Sequence, residues 1–294
     1  LEAVELGTGN YPGQNHIDVD ALLADKQQLA AYRREFTSRD LTISALSVHG
    51  NPLHPNRDLA RRHDEAYRKT VRLAEALEVP VVCVFSGCPG SCPEDGHPNW
   101  VTAAWPPDFP AIRNWQWQEV VIPYWQEAAA FAQDHGVRVA IEMHPGFVVY
   151  NPETLTRLRA AVGPVLGANF DPSHLFWQGI DPVAAIKSLE GAIYHVHAKD
   201  TAIDAQNTAV NGVLDPKSYR DVVHRSWIFR TVGYGHSLEE WRRITSALRT
   251  VGYDHVLSIE HEDALASVNE GFGKAVAFLR EMVLSETPTQ AWWV

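Results

Sequence analysis

The sequence predicts an α/β barrel of the (β/α)8 kind, a TIM barrel, read as one domain over residues 1–294. Short β-branched runs recur along the chain with helix-like stretches between them, the alternation that builds a parallel sheet. Four of these runs end on an acid or a histidine. They are Glu142 in Val-Arg-Val-Ala-Ile-Glu-Met-His, Asp171 in Gly-Ala-Asn-Phe-Asp-Pro-Ser-His, His197 in Ile-Tyr-His-Val-His-Ala-Lys-Asp and Glu260 in Val-Leu-Ser-Ile-Glu-His-Glu-Asp. In a barrel of this kind the strand C-termini converge on one face, where active sites lie.

Taken in order, the expected strands are Ala3–Leu6, Thr42–His49, Val81–Phe85, Arg138–Met143, Val165–Phe170, Ile193–His197 and Val256–Ile259. Between them, Leu59–Leu77 repeats apolar residues at three- and four-residue spacing and stops before Val79-Pro80. Trp115–Phe131, Thr154–Val162, Leu238–Val251 and Val268–Val283 read as helices in the same way. Gly136, Gly191 and Gly252 stand between a helix and the next strand, where C-cap glycines belong. Seven strands are one short of closure, and an open sheet would expose edges that proteins avoid. The first βα unit is therefore expected upstream of Leu1, unless one strand escapes the pattern.

Two connections, Ser86–Asn114 and Thr201–His236, are too long for simple βα loops. Both follow strand C-termini and both carry aromatics, Trp105 in one and Trp227, Phe229 and Tyr234 in the other. They are expected to wall the pocket at that face, with Trp105 available to stack on a bound molecule.

An apolar content of 45% suffices for a sizeable core, and no run of about 18 uncharged apolar residues spans a membrane. With 25 basic and 36 acidic residues the net charge is −11, which opposes nucleic acid as a partner. The three cysteines are an odd count and do not form a disulfide framework, which favours a reducing, cytoplasmic setting.

Side chains on a strand alternate faces, so Glu142 shares one with Ala140 and His144, His197 with His195 and Lys199, and Glu260 with Ser258 and Glu262. Buried carboxylates need partners or a metal. Two Glu, one Asp and one His at the same height suit a single divalent ion: Mn2+, Mg2+, Co2+ or Zn2+. Moving a proton beside a carbonyl needs a base and an acid, for which Glu142 and Glu260 are the candidates. His49 and His144 are candidates to meet substrate hydroxyls, and Lys199 either touches substrate or pairs with strand-end charges. Glu5 is read as an interior polar residue that supports the network.

Val4-Glu-Leu-Gly, Glu142-Met-His, Asp171-Pro-Ser-His, His195-Val-His-Ala-Lys-Asp and Ser258-Ile-Glu resemble the xylose-isomerase-like TIM barrels grouped as sugar phosphate isomerases and epimerases. The likeness extends over essentially the whole chain. It implies one divalent metal held by Glu142, Asp171, His197 and Glu260. It also implies that His174, three residues after the Asp, meets substrate or metal, and that an Arg such as Arg230 binds substrate oxygens, although its distance from His197 is long for ketose epimerases.

The implied reaction is isomerisation or epimerisation of a carbohydrate or keto-sugar through an enediolate. Elimination from the same intermediate, by a 3-keto-glycoside lyase or dehydratase, is the alternative. Apurinic-site cleavage would need more metal ligands and a basic face, against the −11 charge. Homo-oligomerisation is left open by the sequence.

Overall fold

The computed structural model describes residues 1–286 and Trp293. The predicted strands form as β1 (Ala3–Gly7), β2 (Thr42–Ser47), β3 (Val81–Phe85), β4 (Arg138–Glu142), β5 (Leu166–Phe170) and β6 (Ile193–Ala198). Two short strands that the sequence pattern does not predict follow, β7 (Asp200–Ile203) and β8 (Trp227–Arg230), and then β9 (Ser258–Ile259). Seven strands make one parallel sheet in the order β1-β2-β3-β4-β5-β6-β9, a nearly closed barrel with helices outside. All five residues of β5 are buried, as expected of a parallel strand covered on both faces.

Register carries the strand ends to a common height. Phe85 pairs with Glu142, and Glu142 with Asn169, two residues before Asp171. His197 pairs with Ser258, two residues before Glu260. Beneath the strand ends, Ala45, Val81, Cys83, Ala140 and Tyr194 form a small apolar cluster of their own. The larger core lies between sheet and helices, where Arg57–Leu77 buries Tyr67, Val71, Leu73, Ala74 and Leu77 along one stripe. That helix starts on Asn56, whose side chain accepts from the backbone N–H groups of Asp58 and Leu59.

β1 and β9 end the sheet, and among the described residues no eighth strand joins them. A cavity of about 980 Å3 occupies the gap, running from Glu2 and Val256 near the strand starts to Glu142 and Glu260 at the strand ends.

The second long connection is not a loop throughout. It holds the helix Ala205–Asn211 and an antiparallel hairpin in which β7 pairs with β8. A single residue, Lys199, separates β6 from β7, so the strand that the sequence pattern ends at His197 is followed almost at once by another in a second sheet. Asp200 fastens this hairpin to the barrel. Its Oδ2 accepts from the backbone N–H groups of Gly233, Gly235 and His236 at 2.9, 3.1 and 3.0 Å and from Trp241 Nε1 at 3.2 Å. Gly235 is required in this turn, because a Cβ there would collide with the Thr201 carbonyl.

Replacing Asp200 with Ala would strand these donors, most of them backbone N–H groups, each worth about 1–3 kcal/mol when left unpaired. Asp200→Ala should lower the urea midpoint by the equivalent of about 3 kcal/mol or more, with an unchanged m-value; equilibrium denaturation measures it.

Candidate metal centre

Each group in the centre owes its place to strand alternation. Glu142 is the last residue of β4, Asp171 follows β5 and caps the short helix Pro172–Phe176, His197 lies on β6 and Glu260 follows β9. One donor atom from each lies within 4.8 Å of the others. His197 Nδ1 is 3.1 Å from Glu260 Oε2 and 3.4 Å from Glu142 Oε2. Asp171 is fully buried, with Oδ1 accepting from the Ser173 N–H at 2.8 Å. Its Oδ2 is buried without a hydrogen bond, although Lys199 Nζ stands 3.1 Å away and His174 Nε2 3.3 Å. An orphaned carboxylate oxygen facing a ring nitrogen and two more carboxylates is the donor set a divalent ion requires.

The charges sharpen this picture. Burial would raise Glu142, but His49, His174 and His197 outweigh it and hold the carboxyl well below its usual range. Glu260 is likewise lowered against its burial, by Lys199 and then His197. Burial pushes Asp171 up even with Lys199 beside it. Burial opposes charge on His197, yet Glu5 and Glu260 raise it well above the ordinary imidazole. Burial, then the neighbouring His174, pulls His144 down to about 3, so it is a neutral ring.

The structure brings most of the predicted substrate contacts to this place. His49 Nε2 lies 2.9 Å from Glu142 Oε2, with Nδ1 on Ser47 Oγ at 2.8 Å. His174 Nε2 is 3.2 Å from Glu142 Oε1, and its ring stands 4.0 Å from that of His144. Lys199 is buried, 2.7 Å from Glu260 Oε2 and 3.2 Å from Glu262 Oε2.

Trp105 and Arg230 are not brought here. Trp105 is 76% exposed, in a connection held against the barrel flank by Gln116, whose Nε2 donates to the Gly90 and Asn99 carbonyls. Arg230, on β8, turns to Asp263, with Nε 3.2 and 3.1 Å from the two carboxylate oxygens. Neither long connection lines the cavity. The second touches the centre only from the side, through Phe229, whose ring meets His174 at 5.3 Å and Lys199 Nζ at 4.7 Å.

The wall is built instead by short segments, in which the sequence pattern points to His49 but not to Tyr11 or Phe147. Tyr11, Phe85, Phe147 and His49 line it, with Phe85 and Phe147 stacked at 4.3 Å and His49 edge-on to Phe85 at 4.4 Å. Asn169 is a further member that sequence reasoning misses; its Nδ2 donates to Glu142 Oε2 at 3.2 Å. Its position two residues before Asp171 is the signal that could have found it.

The chain belongs to the xylose isomerase-like TIM barrel family, whose model matches residues 1–282. It is 39% identical over 286 residues to the uncharacterized protein YfiH of Bacillus subtilis strain 168, covering 96% of this chain and 91% of that one. Among solved structures it is similar to an IOLI protein with a bound zinc atom (TM-score 0.64, 16% identity, 97% of this chain and 90% of the other). It is also similar to a D-tagatose 3-epimerase-like protein (TM-score 0.62, 19% identity, 96% of this chain and 88% of the other).

Asp171→Asn keeps the cap to Ser173 but weakens the orphaned donor. It should reduce Mn2+ or Zn2+ affinity by more than the roughly 10–100-fold that loss of an outer partner costs. Chelator-competition titration of the folded variant checks it.

Proposed function

We propose that this chain is a divalent-metal-dependent sugar isomerase or epimerase of the cytoplasm, moving a proton beside the carbonyl of a keto-sugar through an enediolate. The observation that carries the reading is the orphaned Asp171 Oδ2 among Glu142, His197 and Glu260 at the end of the cavity. A divalent ion held by these four side chains would polarise the substrate's oxygens and bear the charge that builds on them.

The chain's own groups account for the proton. Glu142 and Glu260 stand on strands from opposite parts of the sheet order and are both held ionised, so each can take a proton from carbon; the one that has taken it can return it, whereas delivery from the other requires that carboxylate first to gain a proton from solvent. Protonation from the face opposite to removal inverts the centre, which is epimerisation; protonation at the adjacent carbon is isomerisation. His49 and His174, both within 3.2 Å of Glu142, orient its two oxygens. Lys199 beside Glu260 keeps that carboxylate a weak base until substrate displaces the contact. The stacked Phe85 and Phe147, with Tyr11, offer an apolar wall to a sugar face and exclude water from an enediolate.

The cavity also selects on charge. Glu2, Glu5, Glu142, Glu260 and Glu262 line it, and Arg280 is the only Lys or Arg among the described lining residues. The substrate that fits is uncharged, an unphosphorylated keto-sugar or related polyol ketone.

Two outcomes follow. Purified protein loaded with Mn2+ should exchange a carbon-bound hydrogen of its substrate with deuterium from solvent, and a chelator should stop the exchange. Glu260→Gln, assayed at an Mn2+ concentration that saturates its metal site, should lower kcat by a factor on the order of 100 or more with a smaller effect on KM. A keto-sugar panel read by NMR tests both, and near-native turnover by Glu260→Gln would remove that residue from the reaction. In the same panel a phosphorylated sugar should give a kcat/KM lower than its neutral counterpart by a factor on the order of 100.

A further inference from the structure

Two residues before Asp171, His197 and Glu260 stand Asn169, His195 and Ser258, which strand alternation places on the same inward face one step deeper. With Glu5 of β1 they form a second tier beneath the four donors. Glu5 Oε2 accepts from Ser258 Oγ at 2.8 Å, and both Glu5 oxygens face His197 Nε2, at 3.0 and 3.2 Å. His195 Nε2 is 3.8 Å from the same Glu5 oxygen, and its Nδ1 meets Asn169 Oδ1 at 3.2 Å.

We propose that Glu5 is the positioning residue of the metal centre: its carboxylate accepts a hydrogen bond from His197 Nε2–H, which turns Nδ1 toward Glu142, Asp171 and Glu260. This rests on the metal-dependent reading above. An ionised carboxylate can only accept, so Nε2 carries the hydrogen and a neutral ring has its lone pair on Nδ1. That nitrogen is the one 3.1 Å from Glu260 Oε2 and 3.4 Å from Glu142 Oε2. A ring lone pair aimed at two carboxylate oxygens is repulsive until a proton or a cation stands among them. Ser258 keeps the Glu5 carboxylate from swinging away, so the ring orientation is set before any ion arrives. A carboxylate on the far nitrogen also raises the basicity of the ligating one.

The same geometry contains a rival. Glu5, His195 and His197 offer donors close enough to hold an ion themselves, which would make Glu5 a ligand rather than a support.

The deciding experiment is titration of the metal-free full chain with Mn2+ and with Zn2+ by chelator competition, with bound ions counted by elemental analysis. It compares the wild type with Glu5→Gln and Glu5→Ala and follows the unfolding of each metal-free form. The wild type should bind a single ion. Glu5→Ala should bind it about 10–100-fold more weakly at the same stoichiometry, and Glu5→Gln, whose amide oxygen still accepts, should lose less. Nitrogen-15 spectra of the imidazoles should show His197 as the Nε2–H tautomer in metal-loaded wild type. In metal-loaded Glu5→Gln the resonance of the Nε2–H proton should move upfield, because its acceptor changes from a carboxylate to an amide, a readout that a purely structural role would not move and that serves if Glu5→Ala fails to fold. Wild-type affinity and an unmoved Nε2–H resonance in the Glu5 variants would overturn the positioning role while metal binding stands. Loss of a second bound ion would overturn it in favour of a ligand role. Absence of binding by the wild type would instead overturn the metal-dependent reading on which it rests.

Discussion

Burial of Glu5, Glu142 and Asp171 beside one another is the constraint to which the centre of this molecule answers. Three carboxylates withdrawn from water cannot stay ionised without positive neighbours. The chain supplies these at the strand ends: His197 between Glu5 and Glu142 and Lys199 against Asp171, with the ring nitrogens of His49 and His174 set 2.9 and 3.2 Å from Glu142. Strand register stands behind Glu5, Glu142 and His197. A slip by one residue on any of these strands would turn its charge out toward the helices. Parallel pairing and charge balance therefore enforce each other.

Much of this was legible in the sequence. The strands stood out because β-branched runs ended abruptly in charge, as happens where a buried parallel strand reaches the mouth of a barrel. The convergence of Glu142, Asp171, His197 and Glu260 was legible for the same reason, since alternation fixes both face and height. Direction within a connection was not. Arg230 and Trp105 sit in segments that leave the correct ends of strands, but a loop has no period from which to read where a side chain points. Arg230 finds Asp263, 33 residues further on, and Trp105 faces solvent. The helix Lys26–Thr37 gave no signal because it has no fully buried residue and hence little stripe to detect.

The hairpin shows a different limit. β7 follows β6 with only Lys199 between them, and its Asp-Thr-Ala-Ile is too short and too polar to stand out as a strand of its own. What separates them is Asp200, whose carboxylate gathers a turn more than thirty residues away. The information lies in a long-range bond. Its effect is to bring Phe229 over His174 and Lys199, closing one side of the centre that the shorter loops leave open.

Lys199 has a consequence of its own. Its ammonium is buried among Asp171, Glu260 and Glu262, on a stem fixed by the barrel. The protein thus carries a tethered counter-ion inside its own ligand cage. Small metal domains whose ligands repel one another wait for the ion before they fold. Here the carboxylates are already neutralised in part, so assembly of the cage is uncoupled from loading, and an arriving divalent ion competes with an internal monovalent one. On the metal-dependent reading, such a centre would take up and release its ion reversibly on a finished scaffold.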